Sequence, residues 1–269
     1  MHAIPGVSIL GIPNDENSSF LRGSAEGPAK IRHELWSDAN NMWSETGIDF
    51  RVEGRLRDHG DIHFDSGRDA WELIETRVDD VLSDGGPAIF LGGDHAITHP
   101  ILRAVRRHHP SLTILHFDAH PDIYFDFEGN PRSHASPFAR IMEEGLTDRL
   151  IQCGIRTATG HQREQIQKHG VEVIEARHWR DDTRIEFTTP VYISLDIDGI
   201  DPAFAPGVSH REAGGLSTRQ VINMIQSITQ PIVGADIVEY NPRCDISNMT
   251  AVVAAKLLKE IAGMMVKTS

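Results

Sequence analysis

Cysteine is nearly absent from this chain: Cys153 and Cys244 are the only two in 269 residues. That count excludes a disulfide scaffold, and neither thiol has a second one at zinc-ligand spacing. Reduced thiols fit a cytosolic setting. Basic residues are in deficit, with 26 Lys and Arg against 39 Asp and Glu and a net charge of −13. Such a balance argues against a nucleic-acid partner, which needs a basic face, and against docking on an anionic membrane. No apolar run is long enough to span a bilayer. The start, Met1-His2-Ala3-Ile4-Pro5, lacks the basic region and apolar run of a signal peptide. The end, Lys267-Thr268-Ser269, is not a peroxisomal address. With no linker, internal repeat or low-complexity block, the sequence reads as one domain over residues 1–269, with a cytoplasmic location.

What is present is an alternation of short apolar runs with helical patterns. Strands are expected at Val7–Gly11, Ala88–Leu91, Leu112–Phe117, Leu150–Gly154, Val171–Ile174, Val191–Leu195 and Ile232–Ala235, with a weaker one at Ile48–Val52. Helices are expected at Pro28–Trp36, Asp69–Ser83, Ala96–His108, Ala135–Glu144, His161–His169, Ser217–Ser227 and Ser247–Val266. Pro28 suits a first helical turn, and Ser217 with Gln220 forms a capping-box pattern. Continuous apolar strands between amphipathic helices imply an α/β fold: a mainly parallel sheet between two helical layers.

Two segments concentrate the chemistry: His116-Phe117-Asp118-Ala119-His120-Pro121-Asp122 and Ser194-Leu195-Asp196-Ile197-Asp198-Gly199. In extended chain, alternate residues share a face. Asp118, His120 and Asp122 can therefore converge, as can Asp196 and Asp198. With His95 from Gly92-Gly93-Asp94-His95 there are four carboxylates and two imidazoles, enough for two divalent cations sharing bridging oxygens. An oxygen-rich set with few imidazoles suits Mn²⁺ better than Zn²⁺. A single Asp at a strand-to-helix junction is often a helix cap, but four carboxylates buried there without cations would repel strongly. His95, Asp118, Asp196 and Glu239 all follow apolar strands, at the edge where open α/β sheets place ligand crevices. Asp94 either caps the next helix or orients a ligand from behind. Asp201 reads as a turn residue, His116 as core or ligand support, and Gly92 and Gly93 as a tight turn admitting His95.

These motifs, in this order, resemble the ureohydrolase family of arginases and agmatinases. The resemblance also covers Gly11-Ile12-Pro13-Asn14-Asp15, Gly23-Ser24-Ala25-Glu26-Gly27-Pro28, Gly214-Gly215-Leu216 and Asp236-Ile237-Val238-Glu239-Tyr240-Asn241-Pro242. Within the family, Asp122-Ile123-Tyr124, Glu128-Gly129-Asn130, Ser133-His134-Ala135-Ser136 and Asp201-Pro202 through Ser209-His210 are most similar to plant-type arginases. The resemblance implies an eight-stranded sheet, a trimer or hexamer, and a binuclear Mn²⁺ centre. One ion would be held by His95, Asp118, Asp122 and Asp196, and the other by Asp118, His120, Asp196 and Asp198. It further implies hydrolysis of a small cationic guanidino compound to urea and an amine. Glu239 would hold the guanidinium, Asp198 would carry a proton to the leaving nitrogen, and His134 would exchange protons with solvent. The remainder of the substrate has Asn130, Ser133, His210 and Arg211 as candidates. The plant-type similarity favours L-arginine, with agmatine or another guanidino acid as the alternative. More remote are a formiminoglutamase-type hydrolase, a non-catalytic binding homologue, and a binuclear phosphoesterase, whose usual Asn-His-Asp cluster is missing.

Overall fold

The computed structural model describes residues 6–64 and 67–268; the terminal segments Met1–Pro5 and Ser269, read above for targeting signals, lie outside them. Eight strands form one sheet: β1 (Val7–Ile12), β2 (Leu56–Asp61), β3 (Ala88–Gly92), β4 (Thr113–Phe117), β5 (Arg149–Ile155), β6 (Glu172–Glu175), β7 (Val191–Asp196) and β8 (Ile232–Val238). Their order is β2-β1-β3-β8-β7-β4-β5-β6, and every pairing is parallel. Alternate residues of one strand feed different cores. Ile89 and Leu91 face one layer, while Ala88 and Phe90 face the other. The first layer holds α1 (Gly27–Leu35), α6 (Thr218–Ser227) and α7 (Met249–Thr268). The second is built around α2 (Ala70–Ser83), α3 (Thr98–His108) and α4 (Pro137–Glu143), with Ile166 of α5 (Gly160–His169) at its margin. Each fully buried Leu, Ile or Phe contributes roughly 1.5–3 kcal/mol. Among the described residues, no helix is long and apolar enough to cross a membrane.

One expected strand is absent and one unexpected strand is present. Residues 48–52 make turns instead: Ser44 N–H donates to the Ile48 carbonyl and Phe50 N–H to the Met42 carbonyl. This folds the segment back so that Phe50 and Met42 are buried. Edge strand β2, Leu-Arg-Asp-His-Gly-Asp, carries almost no apolar signal. Its charges are matched by the fold, because Arg32 of α1 pairs with both Asp58 and Asp61. A charged edge also discourages pairing with another sheet.

The central four strands β3-β8-β7-β4 position the site. From β4 the chain continues to β5 on one side, whereas β7 leads to β8 on the other. The carboxyl ends of β4 and β7 therefore flank a topological switch point, where the diverging connections leave a crevice.

Candidate metal centre and active site

His95 begins a 3-10 turn directly after β3. Asp94 caps that turn through the Ala96 N–H (3.1 Å) and also accepts from the Asn17 N–H (2.8 Å). Burial, with the Glu239 charge adding to it, pushes the Asp94 pKa up to about 7. Gly93 is needed for close approach and not for a left-handed turn. A Cβ there would lie 1.9 Å from the Asn14 carbonyl oxygen, which accepts from the Asp94 N–H. Gly93→Ala should therefore destabilise the fold by about 1–3 kcal/mol or more, read as a lower melting temperature with metal removed.

Besides a cluster of His95, His116 and Asp118, the six candidates gather as two groups sharing Asp118. One comprises His95, Asp118, Asp122 and Asp196, and the other Asp118, His120 and Asp198. His95 Nδ1 lies 3.3, 3.0 and 3.2 Å from oxygens of Asp118, Asp122 and Asp196. His120 Nδ1 lies 3.1 Å from Asp198 and 3.4 Å from Asp118. All six residues are buried except the partly exposed His120. The backbone turns that aim them are themselves pinned: Asp196 accepts from the Asp198 N–H (2.7 Å) and Asp198 from the Ala119 N–H (3.1 Å). Asp122 (φ 43°) and Glu239 (φ 61°) hold left-handed backbone conformations uncommon for non-glycine residues. Such strain concentrates at functional sites.

Hydrogen bonding shows that the cup calls for cations. His95 Nε2 faces Ser194 Oγ (3.0 Å), whose own hydrogen goes to Asp236 (2.8 Å). The proton is thus on Nε2, and the Nδ1 lone pair, without a hydrogen-bond partner, looks at three carboxylates. A bare lone pair among anions is costly, so Nδ1 calls for positive charge there, a proton in the metal-free protein or a bound metal ion. Burial opposes charge on His95, yet Asp118, Asp122 and Asp196 outweigh it and lift its pKa well above the imidazole range. Burial and the neighbouring Asp118 charge raise Asp198 to about 6. The donor set of oxygen and nitrogen at this point fits divalent metal ions.

Support for the ligands comes from residues with little sequence signal. Gln152 Nε2 donates to His116 Nδ1 (3.1 Å) and to the Pro121 carbonyl (2.7 Å), so His116 presents Nε2–H to Asp118 (2.9 Å). Asp236 collects hydroxyls from Tyr192, Ser194 and Thr98. Asp201 is the turn residue expected, accepting from the N–H groups of Ala203, Gly214 and Gly215.

Above the cup is a cavity of about 180 Å³, whose lining includes His120, Asp122, His134, Asp196, Asp198 and Glu239. Glu239 follows β8. Its Oε1 accepts from the His95 N–H (2.9 Å) and from His134 Nδ1 (2.9 Å). Arg243, its conceivable salt-bridge partner, pairs with Glu26 instead. The Ser19 N–H donates to His134 Nε2 (3.2 Å), and Ser19 Oγ lies 2.8 Å from the same atom. The neutral ring is therefore the Nδ1–H tautomer, and a second proton on Nε2 would turn to the Ser19 hydroxyl. Burial opposes that second proton, but the Glu239 charge prevails and carries the pKa up to about 9.

The remaining candidates divide. His210 lines the cavity, with its ring centroid 5.3 Å from that of His134 and 5.6 Å from that of Phe20. Asn130 is exposed and donates to Asn17, and Ser133 is buried against the Ala135 N–H; neither lines the cavity. Arg211 is also outside it, donating to the carbonyls of Pro206 and Cys244. Cavity residues that sequence reasoning passed over are Ser19, Tyr124, Phe127, Thr157, Thr159 and Gln162. The Thr159-x-x-Gln162 pattern was readable as a capping box; the others carry no local signal.

A model of the arginase family matches residues 5–263. The chain belongs to the arginase family. It is 44% identical to a mitochondrial arginase of Medicago truncatula, over 99% of this chain and 85% of that protein. It is 44% identical to mitochondrial arginase 1 of Arabidopsis thaliana, over 97% and 81%. The solved Medicago truncatula arginase superposes with a TM-score of 0.92 at 43% identity, covering 98% of this chain and 89% of that one. Agreement with this arginase fold extends to the all-parallel eight-stranded sheet. These relatives correct one expectation. The cytoplasmic location inferred from few cysteines and an unremarkable N-terminus is overturned by plant relatives named mitochondrial or chloroplastic/mitochondrial, which point to an organelle. A low cysteine count reports reducing conditions, which are not confined to the cytosol.

Proposed function

We propose that this chain is an arginase, a single-domain hydrolase that cleaves the guanidinium C–N bond of L-arginine to give urea and an amine. Membership of the arginase family and full-length similarity to plant arginases support a hydrolase acting on guanidino compounds. The observation that carries the reading is the joining of two ligand groups through Asp118, beside Glu239, in one acidic cavity. Proteins named guanidinobutyrase and agmatinase are more distant, at 35% and 31% identity.

In this reading His95, Asp118, Asp122 and Asp196 would hold one Mn²⁺, and Asp118, His120, Asp196 and Asp198 would hold a second. When bound, the pair supplies Lewis acidity and makes water a competent nucleophile near neutral pH. Glu239 holds the flat guanidinium through charge-assisted hydrogen bonds. Its Oε1 is already fixed by His95 and His134, which leaves Oε2 as the free prong. Asp198, in contact with His120 and bordering the cavity, carries the nucleophile's proton to the leaving nitrogen. His134, whose Nε2 reaches Ser19, exchanges the proton with solvent. His210 borders the substrate. The chain acts as a homo-oligomer, trimer or hexamer.

The test is a substrate panel assayed for urea with Mn²⁺ present, in which L-arginine should exceed agmatine in kcat/KM. Formamide from a formimino substrate, or no urea from any guanidine, would reject the reading. His134→Ala should lower kcat by about 10²-fold or more with metal content unchanged. Unaltered turnover would remove the shuttle role.

A further inference from the structure

Helix α5 starts at the cavity wall with a reciprocal cap. The Gln162 N–H donates to Thr159 Oγ1 (3.3 Å), and Gln162 Oε1 accepts from Thr159 N (2.9 Å) and Oγ1 (3.2 Å). The cap fixes the amide's orientation, with oxygen toward Thr159 and the NH₂ group turned away. That nitrogen has no hydrogen-bond partner in the protein, although Gln162 is only 4% exposed and lines the cavity. The matching cap of α6 differs in this respect. Gln220 makes the same bonds to Ser217, but its Nε2 is taken up by Asp181 (3.2 Å). Gln162 Nε2 is thus left open to the cavity, where an acceptor on a ligand would complete it.

We propose that Gln162 Nε2 reads the carboxylate end of the substrate, seated over the N-terminus of α5; this rests on the guanidine-hydrolase reading. An amide NH₂ only donates, so it answers a carboxylate and neither an α-ammonium nor the bare end of agmatine. The positive end of the α5 dipole lies at this wall, where its cap residues Thr159 and Gln162 line the cavity. No lysine or arginine lines the cavity. Guanidinium groups of the neighbouring segments are engaged elsewhere: Arg211 with the carbonyls of Pro206 and Cys244, Arg156 with those of Gly154, Asp198, Gly199 and Glu212, and Arg163 with Glu175 (3.5 Å). Apart from the histidines beside the metal cup, neutral donors are what the wall offers to a negative charge.

The experiment compares kcat/KM for L-arginine, agmatine and 4-guanidinobutanoate in the Mn²⁺-loaded wild type, in Gln162→Glu and in Gln162→Met. Glutamate preserves the reciprocal cap while opposing a carboxylate, and methionine removes the donor without adding charge. In Gln162→Glu the arginine-to-agmatine ratio should fall by at least about tenfold, with 4-guanidinobutanoate following arginine. Gln162→Met should shift the ratio in the same direction by less. A smaller fall in Gln162→Glu, or 4-guanidinobutanoate following agmatine, overturns the assignment. Should wild type release no urea from any of the three, the hydrolase reading fails by itself. Calorimetric binding of L-ornithine and putrescine to wild type and Gln162→Glu then decides the role of Gln162. Selective weakening of ornithine by about tenfold upholds it, and equal weakening of both overturns it.

Discussion

Asp118→Ala should lose both metal ions and essentially all turnover. Asp118 belongs to both ligand groups, a position that the proposed ligand sets give otherwise only to Asp196. The expected fall in kcat/KM exceeds the ~10–100-fold typical of residues that merely orient a ligand. Stability separates this loss from misfolding. In the metal-free state Asp118, Asp196 and Asp198 crowd one another: the charges of Asp198 and Asp118 add to burial in pushing Asp196 well above its ordinary pKa. Burial opposes charge on Asp118 too, but His116, His120 and His95 hold it well below the ordinary carboxylate range, so the metal-free Asp118→Ala variant should melt below metal-free wild type while still folding cooperatively. The difference widens when Mn²⁺ is added. Wild type gains about 4 kcal/mol per ion bound at a thousandfold excess over Kd, and the variant gains nothing. Thermal melts with and without the ion check this. Asp118→Asn, which still accepts from the N–H groups of His116 and His120, should share the metal defect. A variant that bound metal normally would show that Asp118 is not shared.

Glu239→Gln is the second large effect, and it should leave metal content intact. Glutamine's carbonyl can still accept from the His95 N–H and from His134 Nδ1, the two bonds that Oε1 now accepts. What disappears is the negative charge facing a cationic substrate in a buried setting. Losing one partner of such a pair costs about 2–5 kcal/mol, or roughly 30- to 5,000-fold in kcat/KM. The same change acts on His134. Its pKa of about 9 reflects the Glu239 charge prevailing over burial, so in the variant the ring should titrate lower. An NMR titration of the imidazole reads that shift. Unchanged kcat/KM for L-arginine would release Glu239 from the guanidinium.

The metal cup was legible in the sequence for a physical reason. Five of its six residues sit at alternate positions after apolar strands, with His95 after a third, and so many buried carboxylates call for positive charge. The apolar central strands β3, β4, β7 and β8 were legible for the same reason, since both of their faces are covered. The edge was not. Strand β2 pairs on one side only, so its residues answer to Arg32 and solvent and lose the apolar signature. The substrate-facing wall was legible only in part. His134 and His210 follow recognisable motifs. Arg211 resembled a carboxylate reader by charge alone, and the fold spends its guanidinium on the Pro206 and Cys244 carbonyls. Gln162 gave no hint of chemistry, because a capping glutamine looks the same whether its NH₂ meets Asp181, as in α6, or the open cavity. Ser194 and Asp236 act through the orientation of His95, and contacts of that kind arise only when β3, β7 and β8 lie side by side.

The most direct measurement is a titration of metal-free protein with Mn²⁺, followed by calorimetry and elemental analysis of the dialysed product. The account predicts two ions per chain, both retained in His134→Ala and Glu239→Gln and both missing from Asp118→Ala. Binding of less than one ion per chain, or a full complement in Asp118→Ala, would contradict it.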